Sequence, residues 1–262
     1  MTHAYFRRDG DLLVPDRTVR SPWNPDHQSG IAVVGQLARA IERAPAPRPM
    51  RIARLTVDFL GAVLMRPTAA QVEVAYEGAD SQLIEAALWV DSAIAAKATA
   101  LRVPATDEPP QHGEPPPYVS PEEAPRNGVT RYFGEGHPLQ TRVIQRPDAD
   151  GAPGVFWSRF NSTFVEGEPT SAVVRACMTA DIASGAGAGP SMRNWRMPNA
   201  DLSLYFAREP RGDWLLAATQ IDVADQGVAA TRSTLADETG VFGYARQMLI
   251  LSRANTESAP RA

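Results

Sequence analysis

The sequence predicts an α+β protein built from one unit used twice, a strand, then a helix, then four antiparallel strands. Three observations predict it. Two amphipathic helical stretches, near 30–43 and after Thr170, are each followed by four segments of strand length. Leu55, Val57 and Phe59 in the first half match Leu202, Leu204 and Phe206 in the second at a shift of 147 residues. The same shift carries Gln71–Val74 onto Ala218–Ile221, and Ala96–Ala98 onto Gly243–Ala245, without a gap. Two copies at so long a period are a duplication rather than a solenoid.

The elements follow in order. Two short strands, Ala4–Arg8 and Leu12–Val14, turn at Asp9 and Gly10. A polar lead, RSPWNPDHQSG, enters a helix with Ile31, Val34, Ala38 and Ile41 as its apolar stripe, and the APAPRP run ends it. Strands are expected near 51–60, 69–77, 83–90 and 93–103. Residues 104–127 are Pro-rich and acidic and read as an extended linker without a regular element. A strand near 154–166 leads to the second helix. Thr170 or Ser171 caps its start, since a hydroxyl there accepts an orphan backbone N–H. Val174, Cys177 and Met178 form its apolar face, and the GAGAGP run from Gly185 stops it. Strands near 200–207, 214–224, 227–236 and 241–251 complete the second half. The helices align at a smaller shift than the strands, so the second helix-to-strand loop is the longer one.

Composition narrows the function classes. The 262 residues are 44% hydrophobic and 21% charged, ordinary for a globular chain, with a net charge of −4. Nothing in that balance attracts nucleic acid or anionic membranes. The single cysteine, Cys177, forms no internal disulfide and falls on a buried face, as expected in a reducing cytosol. The start, MTHAYFRRDGDLLVP, has no apolar signal-peptide region, and no apolar run is long enough to span a bilayer. The expected location is cytoplasmic.

A long helix wrapped by a curled antiparallel sheet is the hotdog unit, and two in one chain make a double hotdog. The expected division is an N-terminal hotdog over 1–103, a Pro-rich linker over 104–128 and a C-terminal hotdog over 129–262. SPWNPDHQSGIAVVGQLARAIE is similar to the first-helix region of actinobacterial acyl-CoA thioesterase-like proteins, where a Gly-Pro-Trp, a His-Gly-Gly and a Leu-Ala-Arg-Ala recur in this order. TADIASGAG, NWRMPNADLSLYFAREPRGDWL and YARQMLIL resemble the same family's second hotdog. The broader relative is the type II, TesB-like acyl-CoA thioesterase. Here His27, Gln28, Ser29 and Gly30 stand where the family has His-Gly-Gly, and Ile182, Ala183 and Ser184 replace a Phe-Gly-Asn. The resemblance implies hydrolysis of an acyl-CoA or acyl carrier protein thioester, with no metal or redox cofactor and no nucleic-acid or membrane partner. Hotdog sheets commonly pair, so a homodimer or larger homo-oligomer is expected; a monomer by light scattering at micromolar concentration would contradict that.

Thioester hydrolysis needs an activated water, a donor for the developing oxyanion and a cleft. Asp181 lies three residues after Met178 and seven after Val174, on an apolar helix face. A carboxylate there is costly unless something binds it or it has a job. By periodicity alone the stronger reading is a structural Asp satisfied by backbone, Arg193 or Arg196. The resemblance reverses this: in type II thioesterases an Asp, a hydroxyl or amide residue and a Gln at the places of Asp181, Asn199 and Gln247 orient the lytic water. Asp201, two residues after Asn199, reads as structural. The repeat supplies a control. Ala100 stands opposite Gln247, and Arg39, or Ala38 in a slipped register, stands opposite Asp181, so one competent site per chain is expected. The first helix is expected to contribute binding through His27, Ser29 and Gly30, its free N–H groups aimed at the thioester oxygen.

Two other readings stay open. The NPDH run resembles part of a hydratase-type hotdog signature, which would use His27 on an enoyl-CoA, but Pro22 and Ser29 occupy the places of its acids. A non-catalytic acyl-thioester binding protein would keep the cleft and turn over nothing. The GAGAGP run follows a helix and is not a dinucleotide fingerprint, there is no Gly-x-Ser-x-Gly elbow, and four scattered His with one Cys give no metal cluster. Arg193, Arg196, Arg208 and Arg211 are candidates for CoA phosphates, or for a solvated face.

Overall fold

The structure, a computed structural model, describes residues 4–106, 114–126, 137–147, 152–186, 194–223 and 226–253. The first half opens with the expected hairpin, β1 (Ala4–Asp9) and β2 (Leu12–Pro15), turned at Gly10 with φ +60°. Helix α1 (Gly30–Glu42) follows, and its stripe of Ile31, Val34, Ala38 and Ile41 is fully buried. Then come β3 (Met50–Phe59), β4 (Thr68–Glu77), β5 (Gln82–Val90) and β6 (Ala93–Pro104). The second half comprises β7 (Leu139–Gln145), β8 (Gly154–Phe160), β9 (Thr163–Val165) and α2 (Ala172–Ile182). It continues through β10 (Trp195–Arg196), β11 (Asp201–Phe206), β12 (Leu215–Val223), β13 (Val228–Asp237), β14 (Gly240–Ile250) and β15 (Ser252–Arg253). Among the described residues no helix is long and apolar enough to cross a membrane.

The strands join in one sheet in the order β7-β8-β12-β13-β14-β11-β3-β6-β5-β4-β2-β1-β9, with β10 and β15 paired apart from it. The 147-residue shift read in the sequence returns as hydrogen-bond register. Val57 pairs with Ala98, and Leu204 with Ala245; Ile84 pairs with Ala100, and Thr231 with Gln247; Val72 pairs with Ala86, and Thr219 with Ser233. The two halves meet where β3 runs antiparallel to β11. There Thr56 pairs with Ser203, its own counterpart, and Ser203 Oγ donates to Thr56 Oγ1 at 3.2 Å. A strand paired with its own copy through matched residues puts a local two-fold axis at that pair.

The helices lie against each other, running antiparallel. Near one end Asp181 of α2 packs on Gly30 of α1; near the other Ser171 Oγ donates to Glu42 Oε2 at 2.6 Å, and Arg39 makes a two-pronged bond to Glu168. This antiparallel contact brings the N-terminus of one helix to the C-terminal end of the other, twice. Cys177 lies at 0% exposure in the shared core, with Val174 and Met178 beside it.

Three features depart from the sequence reading. Residues 154–166 form two strands rather than one, because β9 leaves the second half to pair parallel with β1 of the first, matching Ala4 with Thr163 and Phe6 with Val165. β7 is absent from that reading; its alternation is short and partly polar, and pairing with β8 makes it a strand. The described stretch of the Pro-rich segment, 114–126, packs against the sheet. Trp157 Nε1 donates to Val119 O at 3.0 Å, and Tyr118 and Ala124 join Val155, Trp214, Leu216 and Ala236 on the outer face of the sheet.

A buried ion pair fastens the far end of β13. Asp237 is wholly buried and takes both prongs of Arg208, at 2.5 and 2.7 Å, and the main-chain amides of Arg211 and Thr239. Burial pushes its pKa up, but these bonds outweigh it and hold the carboxyl below the usual carboxylate range. Its contribution is therefore present above the ordinary carboxylate pKa and is lost as pH falls through the depressed one. Asp237→Asn leaves Arg208 without its partner charge and is expected to cost about 3–5 kcal/mol, read as a lowered urea midpoint at pH 7.

Candidate active site

Helix α2 forms because its start is capped and one face is apolar. Ser171 Oγ accepts from Val174 N at 3.0 Å, whereas Thr170 Oγ1 accepts from Phe164 N and steadies the turn before it. The helix carries Asp181 to its last turn, where the residue is 7% exposed. Asn199 Nδ2 donates to Asp181 Oδ1 at 2.7 Å. Burial pushes the Asp181 carboxyl up to about 7, with the Asn199 bond pulling the other way. Oδ2 has no hydrogen-bond partner among the described residues.

Asn199 is fixed from both sides. Ala200 N donates to Met248 O, Ile250 N to Pro198 O, and Met248 N to Asp201 Oδ1 at 2.6 Å. Asp201 thus has the structural role expected of it. Gln247 is nearly inaccessible. Its Nε2 donates to the main-chain carbonyl of Asp181 at 3.0 Å, and its Oε1 accepts from Thr231 Oγ1 at 3.4 Å. It stands behind Asp181 and is not among the residues that line the cleft. Thr231, Ser233 and Gln247 are buried polar residues where the first half has Ile84, Ala86 and Ala100, equally buried and apolar. At these three strand positions the polar side chains lie in the half that carries Asp181.

A cleft of about 530 Å³ lies between the two halves. One wall carries Asp181, Ile182, Met197 and Asn199; the other carries His27, Ser29, Gly30, Val33, Phe59 and the loop Leu60–Val63. The second wall is braced as a ribbon. Ser21 N bonds His27 O, Ser29 N bonds Val19 O, Gln28 N bonds Val63 O and Met65 N bonds Asp26 O, all at 2.7–2.9 Å. His27 lies in the cleft with Asn24 Nδ2 at 3.5 Å from its Nε2. Ser29 occupies the N-cap of α1, yet its Oγ makes no cap bond and has no partner among the described residues. The Gly30 and Ile31 amides open the helix without an internal acceptor among the described residues. A Cβ built on Gly30 would stand 2.6 Å from Asp181 Oδ2 and closer still to Oδ1, so only glycine lets the carboxyl reach the start of α1.

The structure thus brings Asp181, Asn199, His27, Ser29 and Gly30 to one cleft and sets Gln247 one layer behind. The four arginines read as candidates for CoA phosphates or a solvated face stand in different places. Arg208 is committed to Asp237, the Arg211 amide bonds the same carboxylate, and Arg193 lies outside the described residues. Arg196 lines the cleft with Nη2 on the Trp23 carbonyl and does not reach Asp181. Sequence reasoning missed the Leu60–Val63 wall, and missed Gln28 and Gln36, although a glutamine among the apolar residues of α1 was a visible signal.

The chain matches the family model of the acyl-CoA thioesterase N-terminal domain over residues 19–103 and that of the C-terminal domain over residues 103–251. It belongs to the acyl-CoA thioesterase family. This thioesterase is a thioester hydrolase by that membership, and its sheet and helices have the hotdog fold of its structural neighbours. An acyl-CoA thioesterase II, TesB2, from Mycobacterium marinum is 19% identical with a TM-score of 0.69, covering 86% of this chain and 90% of its own. A tesB protein of Mycobacterium avium subsp. paratuberculosis is 16% identical with a TM-score of 0.70, over 94% and 96%. A conserved protein of unknown function with a hot dog fold from Alicyclobacillus acidocaldarius is 15% identical with a TM-score of 0.75, over 97% and 100%. No curated protein matches the thioesterase.

Proposed function

We propose that the chain is a double hotdog that hydrolyses an acyl-CoA thioester to the free acid and CoA at one site, with Asp181 as general base. The observation that carries this reading is the buried Asp181 carboxyl, held by Asn199 on one oxygen and set against the uncapped start of α1 in the cleft. The duplicated register supports two units, divided as 1–103, a linker 104–128 and 129–262, and the two family matches meet at residue 103.

In the proposed reaction a water at Asp181 Oδ2 attacks the thioester carbonyl carbon and gives its proton to the carboxylate. A pKa near 7 suits a base that must be ionised and still hold a proton at neutral pH. Asn199 fixes the carboxylate and leaves the second oxygen for the water. The Gly30 and Ile31 amides face the oxygen on which charge develops, where preorganised donors count most. Collapse breaks the carbon–sulfur bond, and the leaving thiolate takes up the proton. Gln247 acts through Asp181 by holding the main chain at the end of α2. The counterpart end of the helix pair carries Arg39 closed on Glu168 in place of a free carboxylate, which supports a single site per chain.

The test is thiol release from a panel of acyl-CoA and acyl carrier protein thioesters. Hydrolysis of at least one by the wild type, lost in Asp181→Asn, is expected. Release by neither carrier, together with tight CoA binding, would replace this reading with a binding protein. Hydration of an enoyl-CoA that depends on His27 would replace it with a hydratase.

A further inference from the structure

The wall of the cleft that lacks the base is held by three buried polar side chains in series. Thr68 Oγ1 donates to Gln36 Oε1, Gln36 Nε2 donates to Gln28 Oε1 at 3.2 Å, and Gln28 Nε2 donates to the carbonyls of Leu64 and Arg66 at 3.0 and 3.1 Å. All three residues are at most 5% exposed. The direction of each bond is fixed by the next. Two carbonyls claim the Gln28 amide hydrogens, so its oxygen must accept from Gln36, whose own oxygen is then left for the Thr68 hydroxyl. Turning either amide over would bury an unsatisfied group.

A glutamine on the buried face of α1 needs a reason, because an unbonded amide there is costly. Ser29 and Ser171 are the N-caps of the two helices, and in that register Met178 stands opposite Gln36 and Thr170 opposite Gln28. Met178 is fully buried and packs in the apolar core. At the strand shift of 147, Thr68 corresponds to Leu215, also apolar and buried. The polar series therefore belongs to the first half alone. Its end, Gln28, grips the loop carbonyls just beyond Val63, in the ribbon that also presents His27 and leads into Ser29.

We propose that Gln36 is a positioning residue for substrate binding: through Gln28 it locks the Val63–Arg66 segment onto Asp26–Ser29 and so holds the wall that takes the pantetheine and acyl parts of the thioester. This rests on the hydrolase reading of the cleft. The two walls then divide the work. The wall from the second half carries base and water; the wall from the first half carries grip, and α1 itself keeps the oxyanion amides in place whether or not the ribbon is locked.

Gln36→Met tests this, because methionine is the counterpart residue, is unbranched and forms helix well. KM for the best acyl-CoA is expected to rise about tenfold with kcat within about twofold, and Thr68→Val should move KM in the same direction by less. Hydrogen exchange gives a readout independent of turnover: the Gln28 and Met65 amides should exchange at least about tenfold faster in Gln36→Met. KM and kcat both at wild-type values with only Tm lowered, or kcat lowered at unchanged KM, would overturn the proposal. Unchanged exchange at those amides would overturn it too. Should the wild type hydrolyse no thioester while the exchange rates rise as stated, the hydrolase reading fails and the lock itself stands.

Discussion

Asp181→Asn is expected to lower kcat by about 10²- to 10⁴-fold, the range that general-base catalysis supplies. The substitution keeps size and shape, and the Asn199 amide still finds an oxygen acceptor, so the cleft stays intact. What disappears is the carboxylate set against the start of α1, which takes the proton from water in the proposed reaction. The same variant is expected to be more stable than the wild type at pH 8. The folded pKa of Asp181, about 7, lies above its ordinary 3.8. Between those values the unfolded chain has released a proton that the native chain keeps, so native stability falls as pH rises through that window and stays lower above it. Asparagine carries no charge and escapes the loss, by up to roughly 4 kcal/mol at pH 8 and by nothing below about pH 4. Urea unfolding of both proteins at pH 4 and pH 8 reads the difference. A variant that is inactive and also destabilised at pH 8 would mean that Asp181 holds the fold instead.

Gly30→Ala is expected to lower kcat/KM by about 10²-fold or more while leaving Tm within a few degrees. An added Cβ would sit 2.7 Å from Asp181 Cγ and on top of both carboxyl oxygens, so the carboxyl must move. A misplacement near 1 Å costs on this scale when the reacting groups must be aligned. Alanine also favours the first turn of α1 by up to about 1 kcal/mol, which offsets the crowding in stability but not in rate. Steady-state kinetics beside a thermal melt separates the two. Wild-type kcat/KM in this variant would show that the approach of α2 to α1 has no part in the chemistry.

Much of the fold was legible because it rests on local periodicity. The stripe of α1, the cap at Ser171, and the four strands of each half follow from patterns of two or of three to four residues. The duplication was legible too, since a shift that aligns Leu55, Val57 and Phe59 with Leu202, Leu204 and Phe206 also aligns the ladders, down to Thr56 on Ser203. What stayed hidden depends on where distant segments land. β9 is three residues long and is a strand only because β1 is there to pair with it. The linker shows proline and acidity, and nothing in that composition says that Tyr118 and Ala124 cover a sheet face.

The site divides in the same way. Asp181 and Asn199 were visible as a carboxylate on an apolar face and an amide just before a strand. Gln247 was visible as an amide among apolar neighbours, but whether it faces the cleft or the main chain behind Asp181 is set by a long-range contact. Arg208 was visible only as a charge; its commitment to Asp237 is a matter of register between β13 and the turn after β11. Gly30 was read as a donor at a helix start, and its second role, as the missing Cβ that admits a carboxylate, needs both helices in place.

The pH dependence of kcat/KM for the best thioester substrate, measured from pH 3 to 9, tests the central claim most directly. With Asp181 as the base, the profile rises about tenfold per pH unit on its acid side and levels off above about pH 7. A profile already level from pH 5 upward, as an ordinary exposed carboxylate or an uninvolved one would give, would contradict it.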